Sequence, residues 1–485
     1  MKQYSLHIQG QDVRTPNHQS FTTQNPADTR EIVAEYTLGT RSDVAAAVDA
    51  AQNSWGTWSS MSPVGRGRIL SKASQIMEAK KPALAELLVR EEGKTLAEAT
   101  GEVQRAADIL RFHGGLSYTL GGQTIPHELP GNLMYTRRES LGVVALITPW
   151  NFPIAIPTWK VAPALVCGNT VVIKPASAAP AMTFELAKIL QEAGLPGGVL
   201  NVVTAEGRTF GEEITRNPAV QALSFTGSHA VGSQLYQAAA TRMIRCQLEM
   251  GSKNPTLVLA DADLDLAAKL VAIAGFGLTG QACTATSRVI VERSVVGAFT
   301  EKLIALAKAW KVGPGLAPGV QMGPAVNEAE LQGNLDAIAR AQAEGAQLLW
   351  GGNRLQDGDW AHGWFMEPTI LGGVKPEMKV AREEIFGPVV SIMAVDDFDQ
   401  AIAVANNVDY GLSASLVTRD YKKAMQYSER IQCGVVKVNQ ISTGLQLQAP
   451  FGGVKQSSTD TFREQGIASY DFYSRSKTVY LDYSA

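Results

Sequence analysis

Gly280-Gln281-Ala282-Cys283-Thr284 places a cysteine among small residues just after an apolar segment, a setting that suits a nucleophile. A thiolate attacks a carbonyl carbon far better than a hydroxyl does, and it leaves a thiohemiacetal or thioester for further chemistry. A free cysteine is equally at home as a small buried hydrophobe, so Cys283 gains its meaning from its company. Leu248-Glu249-Met250-Gly251-Ser252 lies upstream with Glu249 34 residues before the cysteine, and Pro149-Trp150-Asn151-Phe152-Pro153 lies further upstream with Asn151 132 residues before it. These segments supply a carboxylate that could move protons and an amide that donates hydrogen bonds at any pH. Separately, each has a bland reading: Glu249 as a solvated charge before a turn, and Asn151 as a turn former.

Together with Gly168-Asn169-Thr170 leading to Lys174-Pro175-Ala176, Phe225-Thr226-Gly227-Ser228 with Gly232, Glu383-Glu384-Ile385-Phe386-Gly387-Pro388 and Pro450-Phe451-Gly452-Gly453-Val454-Lys455, these segments resemble the aldehyde dehydrogenase superfamily. The resemblance runs from Asn25-Pro26-Ala27 to Lys477-Thr478-Val479. It implies that Cys283 attacks the aldehyde carbon, and that Asn151 and the Cys283 backbone N–H meet the resulting oxyanion. After hydride loss to a nicotinamide, Glu249 activates water to hydrolyse the thioester. Apolar Leu248 and Met250 beside Glu249 would push its pKa upward, toward the range useful to a general base. Coenzyme A-acylating members typically lack this glutamate, so a free acid is the expected product. Glu464 matches a second family carboxylate that relays protons, although Phe462-Arg463-Glu464 departs from the commoner Gly-Arg-Glu form. A second departure is Met250-Gly251-Ser252 in place of Leu-Gly-Gly, which puts a serine side chain into a close-packed turn. A coenzyme A-acylating enzyme and a non-catalytic binding protein are the competing readings.

The segment from Phe225 to Gly232 has the form G-x-x-x-x-G rather than G-x-G-x-x-G. After a predicted strand and before a predicted helix, it points backbone N–H groups at a pyrophosphate. By resemblance the NAD or NADP site comprises Ile147, Thr148, Pro149, Trp150, Lys174, Ser177, Gly207, Gly211, Phe225, Thr226, Gly227, Ser228, Val231, Glu249, Met250, Gly251, Glu384 and Phe386. Lys174 and Glu384 would bind the two riboses. NAD-preferring members carry a glutamate three residues after the lysine, where this chain has Ser177; a serine does not repel a 2′-phosphate, so NADP should be tolerated and even preferred. The implied substrate contacts are Ile156, Trp159, Gln281, Ala282, Thr284, Ser442, Thr443 and Phe451. Succinate semialdehyde dehydrogenases usually carry arginine where Trp159 stands. Cys283 to Arg288 and Gln448 to Gly453 look most like the 2-oxoglutarate semialdehyde dehydrogenase branch, with succinate semialdehyde, glycolaldehyde, lactaldehyde and aliphatic or aromatic aldehydes as alternatives.

The 485 residues exceed the size of a single core. A hydrophobic fraction of 45%, a charged fraction of 18% and a net charge of −3 describe an ordinary soluble globular protein without the basic footprint of a nucleic-acid binder. The four cysteines are scattered, with no C-x-x-C pair, and none of the six histidines falls in an H-E-x-x-H pattern, so reduced thiols and no metal are expected. Without a signal-like start or a long apolar run, a cytoplasmic protein with no membrane partner is expected.

Positioning these residues requires an α/β frame. Helical periodicity over 41–56 and 64–118 predicts an all-helical opening. Short apolar runs at 142–147, 170–174, 199–203 and 222–225, and again at 256–259, 288–291 and 389–393, predict two doubly wound, mostly parallel sheets. The expected division is an NAD(P)-binding domain from 1–117 and 141–252, a catalytic domain over 253–452, and an antiparallel oligomerisation flap with the C-terminal tail from 118–140 and 453–485. The resemblance implies a homodimer or homotetramer joined through the flap, whose alternating strands would otherwise leave exposed edges.

Overall fold

The computed structural model describes residues 1–484. Two seven-stranded sheets dominate. In the first, the parallel strands run in the order Arg245–Glu249, Val220–Thr226, Val143–Ile147, Thr170–Lys174 and Leu200–Val202, and the antiparallel strands Leu6–Ile8 and Gln11–Val13 extend one edge. The chain starts at Val143–Ile147 and winds outward in both directions, so the strand order reverses between Val143–Ile147 and Val220–Thr226. In such sheets ligands bind in the crevice at the carboxyl ends of the strands flanking that reversal. The near-continuous apolar runs that mark these strands reflect burial on both faces; Val143 to Leu146 and Thr170 to Ile173 have no exposed surface.

The second sheet has the order Gln347–Trp350, Thr369–Gly372, Val389–Val395, Arg288–Glu292, Pro255–Val258, Ser413–Val417 and Val435–Val438, parallel except for its first strand. A third, small sheet pairs Ser474–Asp482 with Asn132–Ser140 over nine residues, with Thr124–Ile125 beyond.

The opening is not all-helical. Five strands occupy residues 2–38, and three of them, Lys2–Tyr4, Asp28–Leu38 and Gln19–Asn25, form a sheet of their own. Aromatic packing explains this sheet: Tyr4 stacks on Tyr36 at 5.2 Å, Phe21 lies on the other side of Tyr36, and Phe184 closes the cluster. The helical stretch expected at 64–118 is two helices, Pro63–Glu92 and Leu96–Leu116, broken at Gly93 (φ +98°) and restarted by Thr95, whose side chain caps Glu98 N–H in a capping box. Among the described residues, no helix is long and apolar enough to cross a membrane, and no cluster of His, Cys, Asp and Glu could hold a metal ion.

Candidate active site

Strand pairing brings the carboxylate and the thiol together. Arg245–Glu249 ends at the carboxyl edge of the first sheet, and the chain then crosses to enter the second sheet at Pro255. Pro255 is in register with Arg288, so Met250 and Cys283, each five residues before its partner in that register, lie on adjacent incoming segments. Asn254 stitches the segments together, its Nδ2 reaching the carbonyls of Cys283 at 2.8 Å and Ala285 at 2.9 Å.

The backbone before Cys283 is sharply bent, with Leu278 (φ +54°), Thr279 (φ +57°) and Gly280 (φ +66°) all in the left-handed region. A Cβ at Gly280 would lie 2.1 Å from the Gly387 carbonyl oxygen, so only glycine allows this close approach. Burial, followed by the negative charges of Glu384, Glu249 and Glu464, pushes the Cys283 thiol up to about 12.

Asn151 is buried. Its Nδ2 donates to the Gln281 carbonyl at 2.9 Å, leaving one amide proton for an oxyanion. The Asn151 carbonyl accepts from Lys94 Nζ at 2.8 Å; Lys94 also pairs at 2.6 Å with Glu102, whose other oxygen accepts from Ile154 and Ala155 N–H. This buried clamp fixes the turn that carries the amide. Glu249 accepts from Gly453 N–H at 3.0 Å and from Ser458 Oγ at 3.3 Å, and burial together with the charge of Glu464 holds its pKa well above the usual carboxylate range. Glu464 pairs with buried Lys160, which also donates to Ser224 Oγ at 2.7 Å.

A cavity of about 230 Å³ unites Pro149, Trp150, Asn151, Ile156, Trp159, Thr226, Gly227, Ser228, Glu249, Met250, Gly251, Cys283, Glu384, Phe386 and Phe451. A second cavity, of about 320 Å³, shares Trp159 and Cys283 with the first and adds Phe152, Thr284, Ile441 and Thr443. Cys283 therefore lines both cavities. Three expected substrate contacts line neither cavity. Ser442 donates to the Thr284 carbonyl at 2.7 Å, Gln281 accepts from Val326 N–H at 3.0 Å, and Ala282 is buried beside them, so all three support the wall from behind.

The carboxyl edge of the first sheet fits a dinucleotide. Helix His229–Ala240 starts at Ser228 without a side-chain cap, leaving its first N–H groups to a ligand. Among the described residues, Thr148 Oγ1 and Thr226 Oγ1 are buried without partners, and Lys174 Nζ is bonded only to the Pro175 carbonyl. Burial brings Lys174 down to about 8. The glycines of the G-x-x-x-x-G segment also serve packing: a Cβ would lie 2.6 Å from the Phe225 ring at Gly227 and 2.5 Å from Met250 Sδ at Gly232. Gly211 meets Leu235 where helices Gly207–Arg216 and His229–Ala240 touch, Gly207 begins the first of these helices, and Val231 is exposed on the second. Ile147 ends its strand beside Lys174, and Ser177 is exposed just beyond it.

Glu384 accepts from Ser252 N–H at 3.0 Å, and burial raises it to about 7. Phe386, in the left-handed region at φ +61°, meets Trp150 edge to face at 5.4 Å. Ser252 does more than fit its turn: its hydroxyl donates to the Cys283 carbonyl at 2.5 Å and lies 3.2 Å from Glu384, tying the nucleophile loop to that carboxylate. Lys160, Lys94, Glu102 and Glu330, the last lining the first cavity, escaped the sequence reading. Lys160 left a signal, being the one charge in the apolar helix Ala155–Val166.

A cysteine beside a dinucleotide crevice, with an amide and a buried carboxylate around it, defines a dehydrogenase that oxidises carbonyl carbon through a thioester. The aldehyde dehydrogenase family pattern matches residues 13–479, and the chain belongs to that family. It is 48% identical to an alpha-ketoglutarate semialdehyde dehydrogenase of Haloferax volcanii over 98% of both chains. It is 45% identical to a 2,5-dioxopentanoate dehydrogenase of Saccharolobus solfataricus over 94% of this chain and 95% of that one. The fold matches a crystal structure of an NAD-dependent aldehyde dehydrogenase from Sinorhizobium meliloti with a TM-score of 0.96 and 34% identity, covering 100% of this chain and 95% of that one. The protein is thus an oxidoreductase that acts on aldehydes with a nicotinamide dinucleotide.

Proposed function

We propose that this enzyme oxidises 2-oxoglutarate semialdehyde to 2-oxoglutarate, with Cys283 as nucleophile and either NADP or NAD as oxidant. The single observation that carries the reaction is that Cys283, Glu249 and Asn151 line one cavity at the sheet edge built for a dinucleotide. The substrate reading is supported by the two relatives, whose names denote the same five-carbon compound.

The thiol passes its proton to solvent through the cavity, and the thiolate attacks the aldehyde carbon, forming a C–S bond and a tetrahedral oxyanion as the carbonyl π bond opens. The free Nδ2 proton of Asn151 and the Cys283 N–H stabilise that oxyanion, and the Lys94–Glu102 clamp holds the amide in place before the charge develops. The bound nicotinamide supplies the hydride acceptor. Glu249, its proton affinity raised by burial and by the charge of Glu464, then takes a proton from water as that water attacks the thioester, and the Glu464–Lys160–Ser224 chain offers the proton a route onward. Ser177 leaves room for a 2′-phosphate. The first sheet with its helices serves as the cofactor domain over 1–117 and 141–252, residues 253–452 carry the nucleophile, and 118–140 with 453–485 join subunits into a dimer or tetramer. A cytoplasmic location fits the scattered, unpaired cysteines.

The test follows reduced-nicotinamide absorbance with a panel of aldehydes and both cofactors. Wild-type enzyme should prefer 2-oxoglutarate semialdehyde, and Cys283→Ala should be silent. Glu249→Gln should release about one equivalent of reduced cofactor in a burst and then turn over about 100-fold or more slowly. A Glu249→Gln variant without a burst would remove the carboxylate from the hydrolytic step.

A further inference from the structure

The second cavity leads to Cys283 between mostly apolar walls, including Phe152, Trp159, Leu278, Ile441 and Leu445. Three charged residues also line it, and two of them are fully engaged. Glu98 accepts from Thr95 N–H and Oγ1 at 2.8 Å each and from Leu278 N–H at 2.7 Å. Glu102 accepts from Ile154 and Ala155 N–H at 3.0 and 3.1 Å and from Lys94 at 2.6 Å. All four carboxylate oxygens are therefore satisfied.

The third, Arg105, is not. It projects from helix Leu96–Leu116 one turn beyond Gly101, where a Cβ would meet nothing within 4 Å, so the tunnel is open beside it. A guanidinium carries five donors, yet among the described residues Arg105 makes a single hydrogen bond, from Nη2 to Gln465 Oε1 at 2.9 Å. It forms no ion pair among the described residues. Of the two acids three residues away on its helix, Glu102 is already satisfied, and Asp108 is bonded to Arg111 and Gln104. A half-buried guanidinium without a counter-ion is costly, and it stays charged because arginine does not deprotonate in proteins. A substrate that brings its own anion would offset that cost.

We propose that Arg105 receives the distal carboxylate of the aldehyde substrate, its free N–H groups gripping both oxygens while the aldehyde end reaches Cys283. This deepens the reading of an acid-bearing aldehyde and rests on it. Trp159, on helix Ala155–Val166, brings no charge to this cavity, and its cation comes from Arg105 on helix Leu96–Leu116. An aldehyde without the acid leaves the guanidinium unpaired, and sites built around a buried donor reject such analogues strongly.

The experiment measures kcat/KM for 2-oxoglutarate semialdehyde, glutarate semialdehyde and pentanal with wild-type enzyme, Arg105→Lys and Arg105→Met. Inhibition of pentanal oxidation by glutarate is measured in parallel. Reading the ratio of acid-bearing aldehyde to pentanal within each variant cancels any loss of folded enzyme, and Arg105→Lys gives the same reading should Arg105→Met not fold. The ratio should fall about 10- to 100-fold in Arg105→Met, through KM rather than kcat, and glutarate inhibition should weaken in parallel. An unchanged ratio alongside a wild-type preference for the acids would overturn the role of Arg105 and leave the substrate reading standing. If wild type ignores 2-oxoglutarate semialdehyde but is inhibited by glutarate through Arg105, the substrate reading falls and the carboxylate site stands. Neither preference nor inhibition in wild type would overturn both.

Discussion

The thiol of Cys283 rests protonated, because burial and three neighbouring carboxylates lift it to about 12. The sign follows directly: the nucleophilic fraction grows as pH rises and does not saturate at neutrality. In cofactor-free enzyme, the rate of Cys283 alkylation by iodoacetamide should keep climbing through pH 9. A plateau near pH 7 would mean that some group on the protein lowers the thiol pKa and that the burial argument is wrong. Cofactor choice is decided at the same scale. On the proposed cofactor site, Ser177→Glu would bring a carboxylate toward the 2′-phosphate of NADP, and close repulsion of this kind is worth about 1–3 kcal/mol. The NADP-to-NAD ratio of kcat/KM should therefore drop by about tenfold or more; an unchanged ratio would place the 2′-phosphate elsewhere.

The nucleophile loop is the element on which the site depends. Three successive left-handed residues deliver Cys283 to the edge of strand Arg288–Glu292, and Gly280 presses on the Gly387 carbonyl. Gly280→Ala combines a disfavoured φ with overpacking against backbone, each costing about 1–3 kcal/mol. The expected outcome is a thermal midpoint lowered by several degrees together with loss of Cys283 reactivity. Retention of both would show that the loop can relax. The broken helix pair Pro63–Glu92 and Leu96–Leu116 matters for a related reason: its break places Lys94 beneath Asn151, and its second half carries Glu102 and Arg105 to the tunnel.

At the scale of the molecule, the small sheet ends in the edge strand Ser474–Asp482, which bears exposed Tyr480 (66%) and Leu481 (46%). An edge of that kind invites a second copy of the chain. Sedimentation velocity should give two or four times the 51.8 kDa chain mass for wild type, and Tyr480→Lys with Leu481→Lys should shift it toward the single chain. A wild-type monomer would rule the flap out as an interface.

Cys283, Glu249 and Asn151 stood out in the sequence because they sit in an ordered set of segments that together resemble one family, and the parallel strands stood out because burial on both faces writes itself as apolar runs. The five opening strands did not: the sheet of Lys2–Tyr4, Gln19–Asn25 and Asp28–Leu38 rests on the cluster of Tyr4, Phe21, Tyr36 and Phe184, the last far away in the chain, and Leu6–Ile8 and Gln11–Val13 rest on the edge of the first sheet. Lys94, Glu102 and Arg105 read as ordinary helical charges, because nothing local says which charge finds a partner. The sequence by itself determined the family and named the candidate reacting groups. The tertiary structure decided which donors are spent and which are left for a ligand, because hydrogen bonds between distant segments exist only once the sheets have paired and the helices have packed.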